Sequence, residues 1–246
     1  MRAASRAPSG SSRRPRPHGG DAVPDAAVQF TAVLPIKSWT HAKSRLHEDP
    51  IVRHAFARAL LKDTLAAVLD AGIVVRTVVV TPDAGVAEYA RFVGAEVVAD
   101  RTRARGDALN DAVARGADWA RKRFPRRPIA VLPGDLPALT GPDLTNVLRS
   151  AADHELAFCP DAAGHGTTLV VARTPGLLRT AYGPDSARRH RELGAVEMAD
   201  VPAGIRRDID VLGDLAGARE IGLGRNTSQV VEDFGAELDA FVQPTG

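Results

Sequence analysis

Three acids and three cationic side chains stand where they could serve one phosphate-handling site. Asp135 lies just past the apolar run Ile129-Ala130-Val131-Leu132, behind an abrupt Pro133-Gly134. Asp208 and Asp210 come much later, in Arg207-Asp208-Ile209-Asp210. Lys37, Lys43 and Arg45 follow a first apolar stretch that ends at Ile36. Carboxylates from separate strand ends are hard oxygen ligands of the kind Mg²⁺ accepts, with phosphate oxygens and waters completing its octahedron. Cations beside such a site suit a bound triphosphate and the charge that develops on leaving pyrophosphate. Plainer readings stand beside these. Asp135 could cap a helix opening near Pro142, Asp208 and Asp210 could cap the helix after them, and the lysines could sit in a solvated loop.

The site reading requires elements that bring these stretches together. Residues 30–36 read as a first strand. Val52, Phe56, Leu60, Leu61, Thr64, Leu65 and Val68 recur at helical spacing up to Gly72, a helix stop. A β-branched run over residues 73–81 makes a second strand, residues 86–93 a short helix and residues 96–99 a third strand. Leu109, Val113, Gly116, Ala120 and Phe124 share one face of the next helix, and residues 129–132 are a fourth, buried strand. The alternation predicts an α/β fold: a mostly parallel sheet with right-handed crossovers and helices on both faces. Ligands bind such sheets in the crevice beyond the carboxyl ends of the strands, where Asp135 stands.

The second half is less regular. Strands are expected over residues 156–160, 167–172 and 196–201, and a brief one over residues 207–210 whose alternation puts both acids on one side. Gly183-Pro184-Asp185-Ser186 reads as a helix start with Asp185 or Ser186 as N-cap. A last helix spans residues 213–221. The expected organisation is a disordered basic tail over residues 1–27, a single domain over 28–224, and a loose C-terminal tail over 225–246.

Composition narrows the function classes. The formal net charge is +2, and the excess is local, carried by Arg2, Arg6, Arg13, Arg14 and Arg16. Nothing in that balance implies a nucleic-acid-binding face. The single cysteine, Cys159, excludes an intramolecular disulfide and fits a reducing compartment. No apolar run is long enough to span a membrane, and the basic amino end lacks the apolar stretch of a secretory signal. A cytoplasmic location is expected. There is no GxGxxG after the first strand, and no Walker-type loop, HExxH, CxxC or GxSxG. The seven histidines show no metal-ligand spacing and read as surface or supporting residues.

The ordered set Ala32-Val33-Leu34-Pro35-Ile36-Lys37, Ala42-Lys43-Ser44-Arg45-Leu46, Gly106-Asp107-Ala108-Leu109-Asn110, Gly134-Asp135-Leu136-Pro137, Gly166-Thr167-Thr168, Gly183-Pro184-Asp185-Ser186 and Asp208-Ile209-Asp210 resembles one family. It is the guanylyltransferases of deazaflavin coenzyme F-420 biosynthesis, whose acceptor is 2-phospho-L-lactate or, in one branch, phosphoenolpyruvate. The resemblance covers residues 30–221. It implies a nucleotide-diphospho-sugar-transferase-like fold, GTP and Mg²⁺ as nucleotide and metal, and release of pyrophosphate.

Position by position, the resemblance makes Asp135 and Asp208 metal ligands, with Asp210 beside them, and makes Lys37 a contact to the triphosphate near Lys43. It places the phosphorylated three-carbon acceptor at Thr168, Gly183 and Ser186, and the nucleotide base near Asn110. Arg188, Arg189 and His190, which follow Ser186, could help to hold the acceptor anion, with two of the three expected at the surface. A downstream F-420 transferase is the implied protein partner. Phosphoenolpyruvate is the expected acceptor, with 2-phospho-L-lactate as the alternative. An inactive nucleotide-binding relative and a sugar-nucleotide or molybdopterin enzyme are the readings from other classes. The long basic amino-terminal extension is not needed by the family.

Overall fold

The computed structural model describes residues 28–38, 46–101, 107–198 and 200–235. The expected tail over residues 1–27, Lys43 and Arg45 lie outside the described residues. The first half runs β1 (Phe30–Pro35), α1 (Pro50–Asp70), β2 (Val74–Thr81), α2 (Ala84–Phe92), β3 (Glu96–Ala99), α3 (Ala108–Arg123), β4 (Ile129–Val131) and α4 (Gly141–Ala151). The second half runs β5 (Leu156–Pro160), β6 (Thr167–Ala172), a 3-10 turn (Pro175–Leu177), α5 (Ser186–Glu192), β7 (Val196–Glu197), α6 (Ala203–Arg206), α7 (Asp214–Ile221) and α8 (Arg225–Asp233).

The sheet order is β3-β2-β1-β4-β6-β5-β7. All pairings are parallel except those of β6, which runs antiparallel to both β4 and β5. The strand order reverses direction between β1 and β4, so the crevice beyond their carboxyl ends is a topological switch point. Because β6 is antiparallel, its first residues, Thr167 and Thr168, reach the same edge as the last residues of β4.

Alternation along β1 divides the core into two layers. Phe30, Ala32 and Leu34 pack with α1, α2 and α4 residues such as Leu65, Val86 and Leu148. Val33 points the other way, with Val113 and Ala120 of α3 and Ala187 of α5. Gly116 makes the close approach of α3 possible, since a Cβ there would collide with the Val33 side chain.

The apolar stripe of α1 is too wide for one partner. Leu61, Leu65 and Val68 face the sheet. Val52, Phe56 and Leu60 face a third cluster with Ile209, Leu215 and Val231. A helix apolar nearly all round must be covered on both sides, and α7 and α8 supply the second cover. The stretch after Gly224 therefore does not begin as a loose tail but as α8, with Thr227 and Val231 buried.

Two other expectations differ from the structure. Residues 207–210 form no strand; Ile209 is buried and its neighbours curve around it. The strand expected over residues 196–201 is reduced to the two residues of β7, whose side chains are exposed, because it pairs with β5 only over Ala157 and Phe158.

Candidate active site at the carboxyl edge of the sheet

Each described candidate residue sits at this one edge of the sheet or in a loop tied to it. β1 delivers Ile36 and then Lys37, with Ile36 N–H bonded to the Val80 carbonyl at 2.8 Å. Lys37 is exposed and has no ion pair with any described residue. Ser38 donates to Asp83, the N-cap of α2, at 2.7 Å, which fixes the chain where it leaves β1.

Asp135 is half-buried in the loop after β4. Its flanks are held from α1 and from the C-terminal segment. Leu136 N–H donates to Thr64 Oγ1 at 2.8 Å, and Gly224 N–H donates to the Pro137 carbonyl at 2.7 Å. The helix that follows is capped by Thr140, which accepts from Asp143 N–H, so capping α4 is not the task of Asp135.

Asp208 reaches the same place by another route. Ile209 N–H donates to the Asp135 carbonyl at 3.2 Å, anchored by burial of the Ile209 side chain. Asp208 is half-buried and Asp210 exposed. Asp214 accepts from the N–H groups of Asp210 and Val211 at 2.8 and 2.9 Å, so it is Asp214 that closes the turn into α7. No group of three or more His, Cys, Asp or Glu side chains gathers as a metal cluster among the described residues. The acids thus approach as two short segments, not as a finished three-carboxylate cage.

Thr168 and Ser186 are buried, at 1% and 2% exposure. The Thr168 hydroxyl has no hydrogen-bond partner among the described residues. A buried hydroxyl left unpaired is costly unless a ligand or water meets it. Ser186 lies 3.0 Å from Thr167 Oγ1, which lies 3.0 Å from His190 Nδ1. Gly183 is exposed with φ +116, a conformation that favours glycine, and a Cβ there would crowd the Arg189 guanidinium at 2.8 Å. Asp185 is left-handed at φ 51 and makes no side-chain cap to α5.

Asn110 opens α3 at the same edge, but its amide is already engaged. Nδ2 donates to Asp107 at 2.5 Å and to the Tyr182 carbonyl at 3.1 Å, and Oδ1 accepts from Tyr182 N–H at 3.1 Å. Asn110 thereby ties the start of α3 to the loop that ends in Gly183. Arg189 adds a bond to the same carbonyl at 3.0 Å.

Of the three residues after Ala187, only Arg188 is at the surface, paired with Glu192 at 2.6 Å. Arg189 is half-buried and has no carboxylate partner among the described residues. His190 is fully buried, stacked on Phe158 and edge-on to Tyr182. Burial, with the Arg189 charge adding to it, pushes its imidazole down to about 4. The sequence placed His190 beside the acceptor residues but gave Thr167 no role and did not join the two. The available signal was spacing, since positions 186 and 190 are one helical turn apart. Cys159 is buried and its thiol is pushed up by desolvation to about 12, so it is no nucleophile. A shallow cleft lined by Asp153, Leu156, Arg179 and Val196 lies at the opposite edge of the sheet and holds none of these residues.

Comparison with known proteins gives this edge its family. The model of the guanylyl transferase CofC-like family matches residues 30–201. The chain belongs to that family. As a guanylyl transferase CofC-like protein it is a nucleotidyltransferase. It is 42% identical over 206 residues to the phosphoenolpyruvate guanylyltransferase of Streptomyces coelicolor, covering 82% of this chain and 96% of that one. It is 39% identical over 216 residues to the phosphoenolpyruvate guanylyltransferase of Mycolicibacterium gilvum, covering 86% and 98%. Among solved structures it is similar to a putative nucleotide-diphospho-sugar transferase from Desulfovibrio desulfuricans, with TM-score 0.64, 14% identity and coverage of 87% and 98%. It is also similar to a 4-diphosphocytidyl-2C-methyl-D-erythritol synthase, with TM-score 0.53, 15% identity and coverage of 79% and 99%. At these identities the two structures speak for the fold, and the fold class is the one expected. No helix among the described residues is long and apolar enough to cross a membrane.

Proposed function

We propose that this guanylyl transferase CofC-like protein transfers GMP from GTP to phosphoenolpyruvate, with release of pyrophosphate, in the biosynthesis of coenzyme F-420. A phosphate oxygen of the acceptor attacks the α-phosphorus of GTP in line. The new bond is a P–O–P anhydride, and the bond from the α-phosphorus to the bridging oxygen of the leaving pyrophosphate breaks. No general base is needed, because the acceptor phosphate is already anionic at neutral pH. The protein's task is positioning and charge neutralisation.

The residues divide that task by place. Lys37, exposed just past the end of β1, meets the triphosphate, with Lys43, further along the sequence, as its companion. Asp135 and Asp208 would hold Mg²⁺, and the donor set fits: two hard carboxylate oxygens on one edge, leaving positions for phosphate oxygens and waters. Asp210 adds negative charge beside them. When bound, the ion would neutralise charge developing on the phosphates. Thr168, with its unspent buried hydroxyl, Gly183 and Ser186 receive the acceptor. Asn110 serves the nucleotide side by fixing the loop between base and acceptor, since its own amide is engaged.

The observation that carries the reading is the bond from Ile209 N–H to the Asp135 carbonyl, which draws two acidic segments far apart in sequence to one switch point. Phosphoenolpyruvate is preferred to 2-phospho-L-lactate because the relatives at about 40% identity carry that name. The test is pyrophosphate release with GTP, Mg²⁺ and a panel of phosphoenolpyruvate, 2-phospho-L-lactate and a sugar 1-phosphate. Phosphoenolpyruvate should give the highest kcat/KM. Faster turnover of 2-phospho-L-lactate would reassign the acceptor, and silence with every acceptor would leave an inactive relative.

A further inference from the structure

Ser186, Thr167 and His190 form a chain that ends on backbone. Ala181 N–H donates to His190 Nε2 at 3.0 Å, so Nε2 must carry a lone pair. In the neutral ring the proton then sits on Nδ1, where the Ser186 backbone and Thr167 Oγ1, at 3.0 Å, share it, so Nδ1 cannot accept from the Thr167 hydroxyl. A protonated ring would set an N–H against the Ala181 N–H. The depressed imidazole pKa agrees with a ring that stays neutral. The charged neighbour of the ring is Arg189; its other contacts, Phe158, Tyr182, Thr167 and Ser186, are uncharged.

The two hydroxyls 3.0 Å apart have two protons between them. Either Thr167 accepts from both His190 and Ser186 and keeps its own proton, or it donates to Ser186 and the Ser186 proton is kept. In both arrangements one O–H of the pair is left over, and His190 has removed the arrangement in which Thr167 donates to the ring. The pair therefore presents a donor, which suits an oxyanion.

We propose that His190 is a positioning residue for the acceptor: through Thr167 it commits the Thr167–Ser186 hydroxyl pair to donating one hydrogen bond to an anionic oxygen, carboxylate or phosphate. This rests on the reading of Ser186 as an acceptor contact. His190 itself touches no substrate.

Steady-state kinetics of the full chain, with His190→Gln and His190→Asn, test it. Gln can hold a carbonyl oxygen where Nε2 stands and so keep the Ala181 bond, whereas Asn can hold an N–H where Nδ1 stands and so keep the Thr167 bond. His190→Gln should retain its melting temperature and its KM for GTP while the KM for phosphoenolpyruvate rises about tenfold, the worth of one hydrogen bond to a charged group. His190→Asn should keep its acceptor KM within about threefold of wild type even as it loses stability. The reverse split overturns the proposal, because His190 then merely holds residue 181. Thr167→Val, which removes the shared oxygen, must raise the acceptor KM at least as much as His190→Gln. Ser186→Ala separates the two ways of failing. A raised acceptor KM there with normal His190→Gln overturns the positioning role alone, and normal values in both overturn the pocket as well.

Discussion

Removing the Asp63 carboxylate should loosen the C-terminal helix and, through it, the loop that carries Asp135. Asp63 lies within α1 at 7% exposure and accepts three bonds: from Asn226 N–H at 3.0 Å, Asn226 Nδ2 at 2.7 Å and Thr227 N–H at 2.7 Å. These N–H groups belong to the first turn of α8, whose own N-cap is Gly224 with no side chain to offer. Asp63 is thus the N-cap of a helix on the far side of the chain. Losing a cap costs about 1–2 kcal/mol, and hydrogen bonds to a charged group are worth about 1.5–3 kcal/mol each before non-additivity. Because the three bonds share one carboxylate, Asp63→Ala should cost on the order of 3 kcal/mol. In a chain of this size that lowers Tm by roughly 6–12 °C. The next residue, Thr64, holds Leu136, Gly224 holds Pro137 and Ile209 holds the Asp135 carbonyl, so freeing α8 loosens one of three tethers of this loop. kcat should fall while the KM for the acceptor changes little. Thermal melts, hydrogen exchange over residues 225–233 and steady-state kinetics read the three effects. A Tm within about 2 °C of wild type, with exchange protection of α8 intact, would refute the reasoning.

Three further outcomes follow from the site. Lys37→Ala should raise the KM for GTP and lower kcat together, since a phosphate contact that strengthens in the transition state costs both; wild-type kinetics would move attention to Lys43. Asp135→Asn and Asp208→Asn should each lose about a hundredfold or more in kcat, and the double variant should be scarcely worse than either, which initial-rate measurements at saturating GTP and Mg²⁺ would check. His190 is held neutral, about 4 in the folded state against 6.5 for the free side chain. The unfolded chain therefore binds the extra proton first as pH falls, so the stability from keeping this ring neutral is full above about 6.5 and is lost progressively toward 4. Urea melts across that window should show a slope, of up to about 1.4 kcal/mol per pH unit, that His190→Gln lacks.

Much of the frame was legible because local rules and tertiary packing agree there. The first seven elements fall within a residue or two of their apolar periods, since a parallel strand buried on both faces and an amphipathic crossover helix each leave a clear trace. Asp135 at the end of β4 could be read the same way, from the stop at Pro133-Gly134 and the rule that ligands lie beyond carboxyl ends. The ordered motifs likewise carried the family.

What only the tertiary structure decided concerns partners distant in sequence. Nothing local says that residues 207–210 curve around a buried Ile209 instead of extending, because that shape is set by the Asp135 carbonyl and by Asp214. Nothing local makes residues 225–233 a helix, whose N-terminal N–H groups are satisfied by Asp63 of α1. Asn110 reads as a free base contact until Tyr182 is seen to occupy it. His190 reads only as a neighbour of Ser186, with no defined partner, until β6, running antiparallel, brings Thr167 up to it. Periodicity reports which face of an element is buried, while the identity of the group across a hydrogen bond depends on how the whole chain closes.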